Sequence, residues 1–287
     1  MVKKLSVALI VSFLMVALMG VTKQAQATLV DLTYTGASGS IGVGVFEQLN
    51  VQNGGTGVLD PFVKMQNNGT ERGYNTDGRI KSQAPLNDLS AANWTHDLLL
   101  SELANNIVSV NSVSYYEFLL DIHENNSADG RYLSLDELRI YLSPTGDKTT
   151  ETLPIQLGTL IYDIDAAGDS WVALNSELSP GSGVGDMRFL IPVSTFSNAT
   201  NQNSNLTSDP YVYFYSQFGG NHTLNVTETY KVKGQDVTGP VNRSDWYADS
   251  TPEEWGERSD SIPEPATLTL LGLGLVGLIG LGRKKKI

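Results

Sequence analysis

Apolar and polar residues alternate at period two through much of the chain. The clearest runs are Val30, Leu32, Tyr34; Tyr116, Phe118, Leu120, Ile122; Leu138, Ile140, Leu142; Met187, Phe189, Ile191, Val193; and Tyr211, Tyr213, Tyr215. Successive side chains of a strand point to opposite faces, so this pattern predicts half-buried strands. Turn chemistry separates them, at Asn53-Gly54-Gly55, Asn67-Asn68-Gly69, Asp77-Gly78 and Gly219-Gly220-Asn221. Roughly ten short strands with little helical periodicity predict an all-β fold, an antiparallel β-sandwich or jelly-roll-like domain. Leu86 to Ala104 reads equally as helix or strand and is assigned to strand, while Ser197 to Ser208 reads as a polar loop.

The two ends break this pattern. Residues 1–27 place Lys3 and Lys4 before an apolar run from Leu5 to Val21, followed by Ala25-Gln26-Ala27. That is a signal peptide, with Ala25 and Ala27 as the small residues of the cleavage site. Residues 263–287 place Pro263-Glu264-Pro265 before seventeen uncharged residues, 266–282, and then Arg283-Lys284-Lys285-Lys286. As a helix the uncharged run spans roughly 25 Å, at the short limit for a single transmembrane helix in a bilayer core of about 30 Å. Basic flanks at both ends keep both termini cytoplasmic and push the middle outside. Each proline lacks an N–H and resists helix, which leaves Pro263 to Pro265 extended beside the bilayer. Residues 28–238 remain for the β-sandwich, enough for one large domain or two small ones. Residues 239–262 turn polar and acidic and read as a stalk or linker, with Trp246 and Trp255 as docking points.

Composition narrows the function. The chain has no cysteine, which excludes thiol catalysis, thiolate metal sites and disulfide staples. Outside the terminal segments it holds 12 basic against 30 acidic residues. So strong a negative balance repels nucleic acid and favours a cation or a neutral sugar as partner. His96, His123 and His222 stand far apart, without His-x-x-x-His or His-Glu-x-x-His spacing, and no Gly-x-Ser-x-Gly elbow occurs. Paired carboxylates leave no sequence signature, so composition leaves a glycosidase open.

Two acidic turns are candidates for Ca2+. Asn125, Ser127, Asp129, Gly130 and Asp136 occupy positions 1, 3, 5, 6 and 12 of a calcium loop, with Asn replacing the usual Asp at the first position and Asp replacing Glu at the last. Asp163, Asp165 and Asp169 alternate around a glycine turn, and hard oxygen ligands in that pattern suit calcium. A solvated acidic hairpin gives the same spacing. The tyrosine row 211, 213, 215 has two readings, a packed core or a sugar-binding face.

The tail resembles the PEP-CTERM sorting signal: Pro263-Glu264-Pro265, a short apolar helix and a basic cluster, in that order. Asn68 to Thr76, Phe118 to Asp121, Leu133 to Leu138, Tyr162 to Asp165 and Tyr211 to Ser216 resemble recurrent motifs of one group of such proteins. The resemblance implies processing by signal peptidase and by an exosortase, an intramembrane cysteine protease. Pro263, Glu264 and Pro265 would be the recognition element, and Arg283 to Lys286 the stop signal. It further implies an inner-membrane-tethered precursor in a Gram-negative bacterium, maturing to a non-enzymatic protein of the cell surface or extracellular matrix. The expected partner is exopolysaccharide in biofilm or floc. The alternative is a secreted glycan-binding or glycan-active enzyme.

Overall fold

The computed structural model describes residues 27–49, 59–79, 86–88, 94–125, 130–179 and 185–259. Apart from Ala27, the predicted signal peptide with Ala25 lies outside the described residues, as do the whole segment 263–287 and the membrane helix predicted at 266–282. Within the described residues the chain is mostly β-structure, in two seven-stranded sheets and one separate hairpin.

The first sheet holds β1 (Leu29–Asp31), β5 (Glu71–Tyr74), β6 (Leu98–Leu99), β9 (Tyr132–Ser143), β10 (Thr159–Asp163), β11 (Trp171–Asn175) and β13 (Tyr211–Phe218). Its order is β1-β11-β9-β13-β5. β9 is long enough to pair with β11 through Tyr132 to Leu135 and with β10 through Arg139 to Leu142. The second sheet holds β2 (Ser38–Ile41), β3 (Gly44–Gln48), β4 (Leu59–Met65), β7 (Ile107–Val110), β8 (Val113–Asp121), β12 (Met187–Pro192) and β16 (Glu253–Arg258). Its order is β2-β3-β12-β8-β16-β4, with β7 on the far part of β8. Pairing is antiparallel throughout except for β1 with β11. β14 (Leu224–Val232) and β15 (Gln235–Arg243) form a mostly exposed hairpin, closed by Lys233 and Gly234 with φ of 51° and 81°. Positive φ at both turn residues matches the twist of a two-residue hairpin.

Alternation explains why the sheets meet. Phe118 and Phe189 from the second sheet and Val212 and Phe214 from the first are all fully buried in one cluster. The rings of Phe118 and Phe214 lie 4.4 Å apart, Phe62 and Phe214 5.5 Å, and Phe214 and Trp255 5.4 Å. These tilted and edge-on contacts join the sheets in a chain without disulfides. The other face of β13 is also covered. Tyr213 and Tyr215 pack with Tyr74, Tyr141, Ile155 and Leu157 in a second cluster, and the Tyr213 hydroxyl donates to Asp97 Oδ1 at 2.8 Å. Of the two readings of the tyrosine row, the packed one therefore describes the molecule; Tyr211 sits partly buried beside it.

Four expectations need correction. Tyr34 is not in a strand: β1 ends at Asp31, and the Tyr34 side chain is 58 % exposed in the turn that follows. The polar tract from Ser197 begins inside helix α1 (Val193–Gln202), so Val193 also leaves β12. Pro192 cannot continue the strand ladder, and Phe196 provides the helix with its buried contact, an edge-on ring 4.8 Å from Tyr116. Where described, Leu86 to Ala104 holds only the two-residue β6 and the start of a 3-10 turn at Glu102–Asn106. Residues 239–259 form no stalk. They complete β15 and then supply β16, an inner strand between β8 and β4, with Trp246 and Trp255 fully buried.

Candidate functional site

Among the described acids of the two predicted calcium turns, Asp136, Asp163 and Asp165 are engaged by protein donors. Ser127 and Asp129 lie outside the described residues. Asp136 falls inside β9 rather than at the end of a loop. Its carboxylate accepts from Ser134 Oγ at 2.8 Å and contacts His222 Nε2. The Asn125 N–H instead donates to Asp249 Oδ2 at 2.8 Å. In the second turn, Asp163 Oδ1 accepts the Asp165 N–H at 2.9 Å and its Oδ2 accepts from Arg139 at 3.3 Å. Asp165 Oδ1 accepts the Ser170 N–H at 2.8 Å, closing the loop that joins β10 to β11, which follow one another along β9. Burial outweighs that bond and pushes the Asp165 carboxyl up to about 6. Asp169 is exposed at the tip. The alternation of acids is thus accounted for by side chains capping their own turn.

A different group of acids is brought together by the fold. The loop before β5 and the loop before β16 join through a two-way bridge, Gly69 N–H to Ala248 O at 2.8 Å and Ala248 N–H to Gly69 O at 2.9 Å. Gly219, at φ +85°, lies under this bridge; a Cβ there would stand 2.2 Å from the Gly69 carbonyl oxygen. Only glycine allows that approach. Beside the bridge is a pocket of about 470 Å³ lined by Asn68, Glu124, Gly130, Asp245, Tyr247 and Asp249. Asp249 is fixed by donors from Asn125 and Thr251, and its own N–H donates to Glu124 Oε2 at 3.2 Å. Glu71, which opens β5, accepts the Asn67 N–H at 2.9 Å, and Glu253 opens β16. Burial raises the carboxyls of Glu71 and Glu253 and pushes Glu124 up to about 9, with negative neighbours adding to the rise.

Sequence reading missed these three glutamates because they come from distant segments and share no spacing. The local signal that was available is the turn Asn67-Asn68-Gly69, ending two residues before Glu71.

Asp121 and Asp186 form a second buried acidic pair. Asp186 Oδ2 accepts the Ile122 N–H at 2.8 Å. Burial holds its carboxyl well above the ordinary 3.8, and the Asp121 charge adds to that. An acid whose folded pKa is raised binds more protons folded than unfolded. Its stabilising contribution is full below the ordinary carboxylate range and is lost as pH rises toward the folded pKa. Asp186→Asn mimics the protonated form, so melting temperatures of variant and parent are expected to coincide below the ordinary carboxylate range and to separate progressively as pH rises above it, the variant melting higher. A constant difference at all pH values would count against this account.

Comparison with known families matches residues 261–285 to the PEP-CTERM protein-sorting motif. No curated protein and no solved structure matches the chain. The match begins two residues after the last described position and contains Pro263, Glu264, Pro265 and Arg283 to Lys285. Such a motif directs a protein to export and to processing by an exosortase at the cell surface. This chain, a mostly antiparallel β-protein, therefore carries a PEP-CTERM sorting motif at its C-terminal region.

Proposed function

We propose that the chain is a non-enzymatic protein of the cell exterior, held as an inner-membrane-tethered precursor and delivered to a surface or matrix containing exopolysaccharide, in biofilm or floc. The sorting motif at 261–285 is the observation that carries this reading. The histidine with the best-placed acid supports it. His222 contacts Asp136 and stacks on Trp171 at 3.9 Å and 9°. Ser134 donates to the same Asp136 rather than to the imidazole, so the three are not in nucleophile, base and orienter order.

The rival reading, a glycan-active enzyme, is favoured by the carboxylates beside the pocket, because a pair of acids flanking a glycosidic bond is the machinery of that chemistry. Incubating the purified protein with the host's own polysaccharide separates the two. Retention on the polysaccharide without release of reducing ends is expected. Release of reducing ends that disappears in Glu124→Gln would establish the enzyme instead.

A further inference from the structure

Glu71 and Glu253 are 0 % exposed and Glu124 is 8 % exposed. Glu71 Oε1, Glu124 Oε1 and both carboxylate oxygens of Glu253 are buried without a hydrogen-bond partner. The side chains acting electrostatically on these three are one another and Asp249. Buried charge is tolerated where it is paired or coordinates a metal, and here the neighbouring charge is all of one sign. Glu71 and Glu253 are close enough to share a proton, but when ionised they have no donor between them.

We propose that Glu71, Glu124 and Glu253 form a divalent-cation site reached through Glu124, which lines the pocket between the loops preceding β5 and β16, taking calcium from the medium. The four unpartnered oxygens are hard, anionic ligands from three separate segments, and calcium accepts irregular sets of six to eight oxygens more readily than magnesium, which demands a near-ideal octahedron. The remaining positions would be filled by water, for which the pocket beside Glu124 and Asp249 has room. Among the described residues no three His, Cys, Asp or Glu side chains are placed so that they could hold a metal ion as they stand. The site therefore closes as the ion enters, drawing in carboxylates that otherwise repel one another. Its structural effect would be to tie β5 of one sheet to β16 and the end of β8 in the other.

The test is calcium titration of the full chain, purified in detergent and stripped with chelator, followed by calorimetry and thermal melting in calcium, magnesium or chelator. One calcium per chain and a melting temperature raised by calcium are expected, with a smaller response to magnesium. Glu253→Gln keeps the shape and removes one buried charge. It should melt no lower than the parent in chelator and lose the calcium response, and Glu124→Gln, at the pocket wall, should weaken calcium binding at least tenfold. Identical parent melts in calcium and chelator would overturn the proposal and leave the cluster as carboxyls sharing protons. Undiminished calcium binding in both folded variants would also overturn it by placing the ion elsewhere.

Discussion

Trp255→Ala is expected to lower the unfolding free energy by about 3–5 kcal/mol, the range for emptying a fully packed aromatic site. Trp255 is 0 % exposed, its ring lies 5.4 Å from Phe214 and 6.4 Å from Phe189, and its indole N–H donates to Ser216 Oγ at 3.1 Å. It thus joins the second sheet, where it pairs with Val63 and Leu120, to β13 of the first. The loss would reach beyond one side chain because β16 is an interior strand: if it loosens, β8 and β4 lose their shared partner. Trp255→Phe keeps most of the packing and forfeits the Ser216 bond, so it should cost less than alanine. Trp94, 40 % exposed, is the control, and Trp94→Ala should shift the urea midpoint little. Equal midpoints for Trp255→Ala and the parent would mean that β16 is not an integral strand.

What the sequence displayed and what it hid follow from how each element is buried. β8, β12 and β13 were legible because one face or both are covered by apolar side chains, and period two then appears directly in the residue types. β16 was not legible. It reads Glu253-Glu254-Trp255-Gly256-Glu257-Arg258, and two of its charged residues are held by tertiary partners: Glu254 pairs with Lys64, and Arg258 bonds Glu117 at 2.8 Å. Polar composition there resembled a stalk because charge partners are remote in sequence. α1 was hidden for a related reason, since Phe196 is its sole fully buried residue among the described ones and no apolar stripe forms. The acidic turns illustrate the opposite case. Asp163 and Asp165 have the spacing of ligands, but that spacing also lets a carboxylate accept its own turn's N–H groups, and this is the arrangement adopted. Glu71, Glu124 and Glu253 have no common spacing at all and become neighbours only when the loops before β5 and β16 are joined.

Replacing both Pro263 and Pro265 with alanine is expected to leave the precursor unprocessed, an all-or-none change in intact mass. Processed parent protein should begin near Thr28 and end close to Pro265, while the double variant should retain the apolar run and the basic cluster. A proline inside a helix costs about 3 kcal/mol and also disfavours helix in the residue before it. Pro263 and Pro265 together are therefore expected from sequence to disfavour helix at Ile262 and Glu264, whereas alanines would let the predicted helix at 266–282 extend back through the motif. An intramembrane protease needs an extended backbone to engage, so recognition should fail even with Glu264 intact. The fold adds a positional constraint. β16 ends at Arg258 and the matched motif starts at 261, so a cut near Pro265 spares the strand, whereas a cut before Glu253 would remove Trp255 from the core. Intact-mass analysis of fractionated cells measures both outcomes. Parent protein recovered outside the cell with Gly272 to Lys286 still attached would overturn the assignment of Pro263 to Pro265 as a processing signal.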